Sequence, residues 1–205
     1  ILHELKIREV DVDAFLNQQF SEPVYCQITF LDYFKRKDGA AFNASDFFGN
    51  PEEFESDFMR FARVADIFIA GHFWGAKSPF LFTRDDAKKT EFNISLVADI
   101  SCDIDGPVAS TLRPSTIEDP FYGYDAPTES EVEFGANGSI AVMAVDNLPC
   151  ELPRDASHDF GEMFMEHVLP EIMNGDAKQI LEKATIADKG EVTSYYNYLN
   201  EWVNS

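Results

Sequence analysis

The sequence predicts an α/β fold built on an open sheet of parallel strands flanked by helices. Strand and helix patterns alternate along most of the chain, and three of the strand patterns are apolar throughout, at residues 66–70, 94–98 and 139–145. Parallel strands that helices cover on both faces have this composition, whereas half-exposed strands alternate apolar and polar residues. Helical patterns close the chain, at residues 156–173 (where Pro170 predicts a kink), 177–184 and 194–203.

Shorter elements are predicted around these strands. Residues 6–10 and 24–30 are predicted strands, and Asp11 is placed to cap a helix between them. Thr83 and Asp86 have the spacing of a capping box, which predicts a short helix after Thr83.

The clearest predicted helix start is at Asn50. Pro51 would occupy the first helical position, and Glu53 would complete a capping box. An apolar stripe with helical spacing predicts that the helix continues to about residue 64; its members are Phe54, Phe58 and Phe61.

The charge balance excludes several functions. The chain has 37 acidic and 16 Lys or Arg residues, a formal net charge of −21. Such a chain repels phosphate backbones and anionic lipids, so we expect neither nucleic acid nor a membrane surface as a partner. The acidic segment 118–133 is predicted to be a solvated loop. Because 45% of the residues are hydrophobic, the chain can form a core, and disorder is excluded.

The cysteines and the two ends of the sequence indicate in which cellular compartment the protein is expected. Cys26, Cys102 and Cys150 are an odd number without Cys-x-x-Cys spacing, which favours the cytoplasm over a disulfide framework or a zinc site. No apolar run reaches the length of a membrane span, and no signal peptide pattern opens the chain. The first five residues resemble the end of a helix and lack an initiator Met, so we expect a piece of a longer protein.

Three predicted strands end in residues that a loop does not need for packing. These strand exits comprise residues 71–74, 99–107 and 146–149. In open parallel sheets, ligands bind beyond the carboxyl ends of the strands, so the three exits should converge on one edge.

Each candidate at this edge has a structural alternative. His72 is somewhat more often an ordinary histidine bonded to backbone, and Trp74 a packing residue. For Asp103 and Asn147 we favour a functional role over a structural one. The structural alternatives are that Asp103 caps a turn and that Asp146 and Asn147 form an Asx turn. Cys102 has no cationic neighbour in sequence, so it is predicted to be unreactive.

A metal site is not predicted. Counted from Asp99, a calcium loop needs Gly at the sixth position and Glu at the twelfth, where this chain has Ile104 and Ser110. The glycine-rich phosphate motifs and the nucleophile elbow of hydrolases are also absent from the sequence. From its residues alone, the chain is therefore an α/β ligand-binding domain of unknown ligand.

Three stretches resemble the saccharopine dehydrogenase family, within the alanine dehydrogenase and transhydrogenase superfamily. They cover residues 67–88, 96–125 and 142–160 and contain the runs DISCD, STIEDPF and VDNLPCELPRDAS. Within that family, the three stretches resemble the lysine–oxoglutarate reductase half of the bifunctional lysine-degrading enzymes.

The resemblance implies part of an NAD(P)-dependent oxidoreductase that acts on the C–N bond of an amino acid or opine. Residues 1–152 would be the C-terminal portion of a Rossmann-like dinucleotide domain, and residues 153–205 a returning helical segment of the substrate domain. It implies NAD or NADP as cofactor, an amino acid and a 2-oxo acid as substrates, and a possible homo-oligomer. The family's acid/base Lys and His lie in a half not contained in these residues, so we expect no turnover by this chain alone. An alanine dehydrogenase-like enzyme and a non-catalytic binding module are the alternatives.

The resemblance also implies roles for individual residues. Asp103 matches an acidic residue close to the nicotinamide and substrate. Two strand ends would line the nicotinamide pocket, with Asp99, Ile100 and Ser101 on one and Val145, Asp146, Asn147 and Leu148 on the other. The strand end that faces the ribose and pyrophosphate would carry His72, Phe73 and Trp74. Glu9 or Asp11, after the strand at residues 6–10, would select NAD over NADP, and either would equally cap the next helix.

Overall fold

The computed structural model describes residues 2–75 and 77–203. They form two compact units, one up to Leu148 and one from Pro149 onward. The first unit opens with a helix-ending turn. The N–H of Ile7 donates to the carbonyl of Leu2 and the N–H of Lys6 to that of His3, while Lys6 has a φ of 60°. These are the bonds of a Schellman motif, in agreement with the predicted helix end; Ile1 lies outside the described residues.

A small parallel sheet follows. Strand β1 (Arg8–Glu9) pairs with β2 (Val24–Tyr25), and helix α1 (Val12–Asn17) connects them. Asp11 caps α1, since its carboxylate accepts a hydrogen bond from the Ala14 N–H at 2.8 Å. The strand predicted at residues 24–30 is too long. A capping box of Thr29 and Asp32 ends it early and begins helix α2 (Phe30–Tyr33).

The helix predicted from Asn50 to about residue 64 is wrong. Helix α3 (Ala44–Gly49) comes first, then a 3₁₀ turn (Pro51–Glu53) and strand β4 (Phe54–Ser56), which pairs antiparallel with β3 (Phe34–Arg36). Glu53 does not complete the capping box; its carboxylate lies 2.9 Å from Nη2 of Arg36 on β3. Only helix α4 (Met59–Ala62) remains of the predicted helix.

A five-stranded sheet is the centre of the first unit. Its strands are β5 (Ile67–Ala70), β6 (Leu96–Asp99), β7 (Phe121–Asp125), β8 (Ser130–Val132) and β9 (Ile140–Met143), in the order β5-β6-β9-β7-β8. Helix α5 (Arg84–Ala87), which the predicted capping box of Thr83 and Asp86 opens, lies between β5 and β6 in the chain. The three predicted apolar strands β5, β6 and β9 pair in parallel, with Ala70 opposite Asp99 and Ala98 opposite Met143.

The acidic segment 118–133 contains a β-hairpin, so the prediction of a solvated loop is wrong. Strand β7 pairs antiparallel with both β8 and β9, which makes the sheet mixed but mostly parallel. Tyr122 and Tyr124 of β7 are buried, and Arg113 binds the Glu131 carboxylate through two nitrogens at 2.7 and 2.8 Å. The many acidic residues of this segment favoured a loop, although the middle residues of β7, Tyr122 to Tyr124, are all buried.

The sheet is buried more deeply on one face than on the other. Val97 and Val142 are fully buried, whereas Ile67 and Ile69 on β5 are 58% and 50% exposed. Because residues two apart on a strand share a face, β5 presents one apolar face to solvent. The expectation that both faces are covered is therefore wrong for this edge strand.

The second unit is mostly helical. It contains α6 (Pro153–Met163), a π-helical segment (Phe164–Val168), α7 (Leu169–Asn174), α8 (Ile180–Ala184), the antiparallel pair β10 (Ala187–Asp188) and β11 (Glu191–Val192), a 3₁₀ segment (Ser194–Leu199) and α9 (Asn200–Val203). The π-helical segment ends two residues before Pro170, which has no N–H for a regular helical bond, so the helix is irregular where the kink is predicted. Among the described residues, no helix has the length and apolar character that crossing a membrane requires.

Candidate functional site

The exits of β5, β6 and β9 converge, as the parallel pairing requires. The N–H groups of Ile100 and Ser101, just after β6, both donate to the carbonyl of Ala70 at the end of β5, at 2.8 and 3.2 Å. The Sγ of Cys102 contacts the carbonyl of Ala144, just after β9, at 3.1 Å. The three exits therefore form one continuous edge, which we call the strand-end edge: residues 71–74, 99–106 and 145–148.

Asp99 is a buried residue whose hydrogen bonds hold the strand-end edge in place. Its side chain is fully buried, and its carboxylate accepts hydrogen bonds from the hydroxyls of Ser101 and Thr111 and from the N–H of Cys102, at 2.5, 2.6 and 3.1 Å. A buried carboxylate needs such donors, and here they fix the start of the loop after β6. Asp99 is thus in place at the predicted site, although its own oxygens point into the protein. The pairing with Thr111, twelve residues away, has no signal in the sequence.

Cys102 lies where the loop turns. Its backbone has a φ of 52°, which few residues other than Gly and Asn adopt. Burial, and then the charges of Asp99, Asp146 and Asp103, raise the pKa of its thiol. A thiol with a raised pKa is a poor nucleophile at neutral pH, in agreement with the prediction of an unreactive cysteine.

Asp103 is a partly buried carboxylate at this edge that is free to act on a ligand. Partial burial and the charge of Asp99 raise its pKa, which the nearby His72 partly offsets. Within the described part of the chain, its carboxylate takes part in no hydrogen bond or ion pair. Asp103 therefore contributes negative charge to the strand-end edge without being committed to a structural partner.

His72, on the β5 exit, faces the same carboxylates. Burial lowers the pKa of its imidazole, while the charges of Asp99 and Asp103 partly offset the effect. Its Nε2 atom is buried and has no hydrogen-bond partner among the described residues. The structural alternative for His72, a hydrogen bond to backbone, is therefore not formed through Nε2 in the described part of the chain.

The neighbouring aromatic residues differ in exposure. Trp74 packs against Phe80, with ring centroids 5.6 Å apart, and its Nε1 donates to the carbonyl of Ser78 at 3.1 Å. It is thus a packing residue in this structure. Phe73 is 91% exposed and Ile100 48% exposed, so both present apolar surface at the edge.

The β9 exit brings mainly backbone groups and the side-chain amide of Asn147 to the strand-end edge. Val145 is buried, Asp146 and Asn147 are exposed, and Leu148 is half-buried. Within the described residues, neither Asp146 nor Asn147 accepts a hydrogen bond through its side chain, so the Asx turn does not form. The amide of Asn147 is consequently available to a ligand.

Glu9 lies apart from these exits in the chain, on β1 of the two-stranded sheet. Its carboxylate accepts a hydrogen bond from the Tyr25 hydroxyl at 2.9 Å and lies 3.4 Å from Nε2 of His3. Helix capping was the alternative role for both Glu9 and Asp11, and in the structure Asp11 caps the helix. Glu9 thus lies at the end of its strand, which is the position that a residue selecting NAD over NADP would occupy.

The charges at the strand-end edge favour some kinds of ligand over others. The groups that act on His72, Cys102 and Asp103 are carboxylates and an imidazole, which favour a cationic or N–H-bearing ligand and repel a pyrophosphate. Two surface grooves of about 430 and about 260 Å³ are lined by none of the predicted ligand residues. No group of three or more His, Cys, Asp or Glu within residues 2–75 and 77–203 is arranged to hold a metal ion.

Gly106 closes the loop that carries Asp103, and we expect Gly106→Ala to distort it. A Cβ at this position would lie 2.6 Å from both the Cβ and the carbonyl oxygen of Asp103, and the backbone oxygen has little freedom to move. We expect the substitution to cost roughly 1–3 kcal/mol, measured by urea unfolding. Gly161→Ala is the matched control, because a Cβ on helix α6 meets no atom within 4 Å and alanine favours helix. Equal stability of Gly106→Ala and the parent chain would contradict this account of the loop.

Comparison with known proteins matches the chain to the family model described as "Alanine dehydrogenase/PNT, C-terminal domain", over residues 27–200. Alpha-aminoadipic semialdehyde synthase of Arabidopsis thaliana is 28% identical over 184 residues, which cover 85% of this chain and 17% of the relative. The mitochondrial alpha-aminoadipic semialdehyde synthases of Mus musculus and Bos taurus are 30% and 27% identical over 193 residues, with 81% of this chain and 21% of each relative covered. The chain spans about a fifth of the length of these curated relatives.

Proposed function

Because the chain belongs to the alanine dehydrogenase/PNT C-terminal domain family, we propose that it is the nicotinamide-binding part of an NAD(P)-dependent oxidoreductase. The observation that carries the proposal is the convergence of three parallel strand exits on one acidic edge. In open α/β sheets this edge is where ligands bind. Residues 1–152 would belong to the dinucleotide domain and residues 153–205 to the substrate domain.

The reacting end of the cofactor would lie against the β6 and β9 exits. Asp103 is the catalytic candidate, because its uncommitted negative charge would stabilise the cationic ring of the oxidised nicotinamide. Ile100 and Val145 would contact the flat ring, and Asn147 would offer its amide to a polar group beside it. Asp99 and Ser101 would support this surface by fixing the loop, with Asp146 and Leu148 completing the β9 exit.

The nicotinamide would supply the hydride chemistry, and the protein would position it. The name of the relatives supports a substrate of lysine metabolism, so we propose a C–N bond of an amino acid or opine as the site of reaction, with an amino acid and a 2-oxo acid as substrates. The family model, which carries the name of alanine dehydrogenase, supports a smaller amino acid as the alternative. Formation of NAD(P)H by the 205-residue chain alone, from saccharopine or alanine, would contradict our proposal that it does not turn over.

Glu9 supports NAD over NADP as the cofactor. A carboxylate at the end of the strand that precedes α1 would accept hydrogen bonds from the ribose hydroxyls of NAD and repel the 2′-phosphate of NADP. We expect Glu9→Gln to narrow the difference in affinity between NADH and NADPH, measured by calorimetric titration. An unchanged ratio would remove Glu9 from the proposal. A cytoplasmic location and self-association also belong to the proposal; two of the relatives described above are named mitochondrial.

Thermal unfolding in the presence of NAD⁺, NADH, NADP⁺ and NADPH tests the proposed function. We expect stabilisation of the chain by at least one of these dinucleotides, and weaker stabilisation of Asp103→Asn by the oxidised forms, since the variant lacks the charge opposite the cationic ring. Asp119→Asn is the control, because Asp119 is an exposed carboxylate outside the strand-end edge. No stabilisation by any of the four would contradict the proposal and favour a binding module that has lost this ligand.

A further inference from the structure

The imidazole of His72 contains a buried nitrogen for which the described residues supply no partner. Nε2 of His72 is inaccessible to solvent and makes no hydrogen bond within the described residues. Buried polar atoms are nearly always paired in folded proteins, so one that is not needs an explanation. A ligand that uncovers this nitrogen and supplies the missing partner is one explanation, because His72 lies on the β5 exit, which is part of the strand-end edge.

The neighbours of His72 restrict what that ligand group is. Asp99 and Asp103 are the charged groups that act on the imidazole. The oxygens of Asp99 accept hydrogen bonds from Ser101, Cys102 and Thr111, and none of these bonds involves the imidazole. Burial keeps the imidazole neutral near pH 7, and a neutral imidazole has one nitrogen that accepts a hydrogen bond. In the neutral tautomer that carries its proton on Nδ1, Nε2 accepts a hydrogen bond, and its missing partner is an N–H or O–H donor. The two carboxylates disfavour a phosphate in its place.

We propose that Nε2 of His72 accepts a hydrogen bond from the carboxamide N–H of the nicotinamide and so orients the ring at the strand-end edge. This inference rests on the proposed function and replaces the pyrophosphate-facing role that the resemblance implied for His72. The carboxamide is favoured over the ribose hydroxyls because the exposed apolar side chains of Phe73 and Ile100 lie on the same two exits as His72 and Asp103, where a flat ring would pack.

The test compares NAD⁺ with its 3-acetylpyridine analogue, in which a methyl group replaces the carboxamide NH₂. Affinities are measured from the shift of the His72 ring signals in NMR titrations, which detect weak binding. We expect the analogue to bind the parent chain about three- to tenfold more weakly, the effect of one neutral hydrogen bond. His72→Leu should bind both dinucleotides with nearly equal affinity, followed through backbone amide signals. His72→Gln should keep part of the preference, because its side-chain carbonyl reaches the position of Nε2.

The controls separate this inference from the proposed function. His158→Leu, an exposed histidine of the second unit, should keep the full preference for NAD⁺. If His72→Leu does not fold, His72→Asn replaces it, since the shorter amide does not reach the position of Nε2 and should lose the preference that His72→Gln keeps. Binding of NAD⁺ with the same preference in the parent chain and in His72→Leu or His72→Asn would overturn the inference and leave the proposed function intact. Failure of the parent chain to bind either dinucleotide would overturn both.

Discussion

Replacement of Asp99 by Ala should destabilise the first unit by about 3 kcal/mol or more, which corresponds to a fall in Tm of roughly 6–12 °C. The substitution removes the acceptor of three hydrogen bonds and leaves the buried Thr111 hydroxyl and the Cys102 N–H without a partner. Each such unsatisfied group carries its own desolvation penalty. Thermal unfolding followed by circular dichroism measures the effect.

Asp103→Ala is the matched control, four residues further along the same loop. Because the Asp103 side chain has no structural partner among the described residues and its charge is partly buried, we expect stability equal to or slightly above that of the parent chain. The two variants therefore distinguish Asp99, which stabilises the strand-end edge, from Asp103, which we propose contacts the ligand. Equal losses of stability in both variants would contradict that division.

Phe58→Ala should cost about 3–5 kcal/mol, the usual range for removing a fully buried phenyl ring. Phe58 is 1% exposed, and its ring lies 4.7 Å from that of Phe68 on β5 and 6.0 Å from that of Phe82, measured between centroids. The cavity would therefore open beneath the strand whose exit carries His72. Urea unfolding measures the loss, and we expect weaker dinucleotide binding as a secondary effect.

Phe73→Ala is the control for this substitution. Its ring is 91% exposed, so its removal should change the free energy of unfolding by less than about 0.5 kcal/mol. If Phe73 contacts the nicotinamide as we propose, the variant loses affinity while it keeps its stability. A large loss of stability in Phe73→Ala, or none in Phe58→Ala, would be incompatible with the packing of the first unit.

The sequence predicted those parts of the fold that depend on continuous apolar strands. Strands β5, β6 and β9 are where the sequence placed them, and their parallel pairing follows from that composition. Phe54, Phe58 and Phe61 were predicted to form the apolar stripe of one helix, and that prediction is wrong. All three are buried, but Phe54 reaches the core from strand β4. Burial of a residue and the element that buries it are thus separate predictions, because strands and helices both provide apolar faces.

The errors of the prediction arise where long-range pairing outweighs local pattern. Glu53 pairs with Arg36, seventeen residues before it, and the hairpin of β7 and β8 is tied by Arg113 to Glu131. Neither pairing has a local signal, and the acidic composition of residues 118–133 favoured a loop. At the site, the convergence of the exits was predictable from strand direction. The donors around Asp99 depend on the course of the loop after β6, which only the structure shows. The same is true of the burial of His72 Nε2, which has no partner within residues 2–75 and 77–203.

The most direct test of the central claim is an NMR titration of the ¹⁵N-labelled chain with NADH. The account predicts that the largest shifts of backbone amide signals occur at the strand-end edge, around His72, Asp103 and Val145. It also predicts that Asp103→Asn and His72→Leu weaken binding while the folded spectrum is retained. Absence of shifts at saturating NADH, or shifts confined to residues away from the three exits, would contradict the claim that this edge binds the nicotinamide.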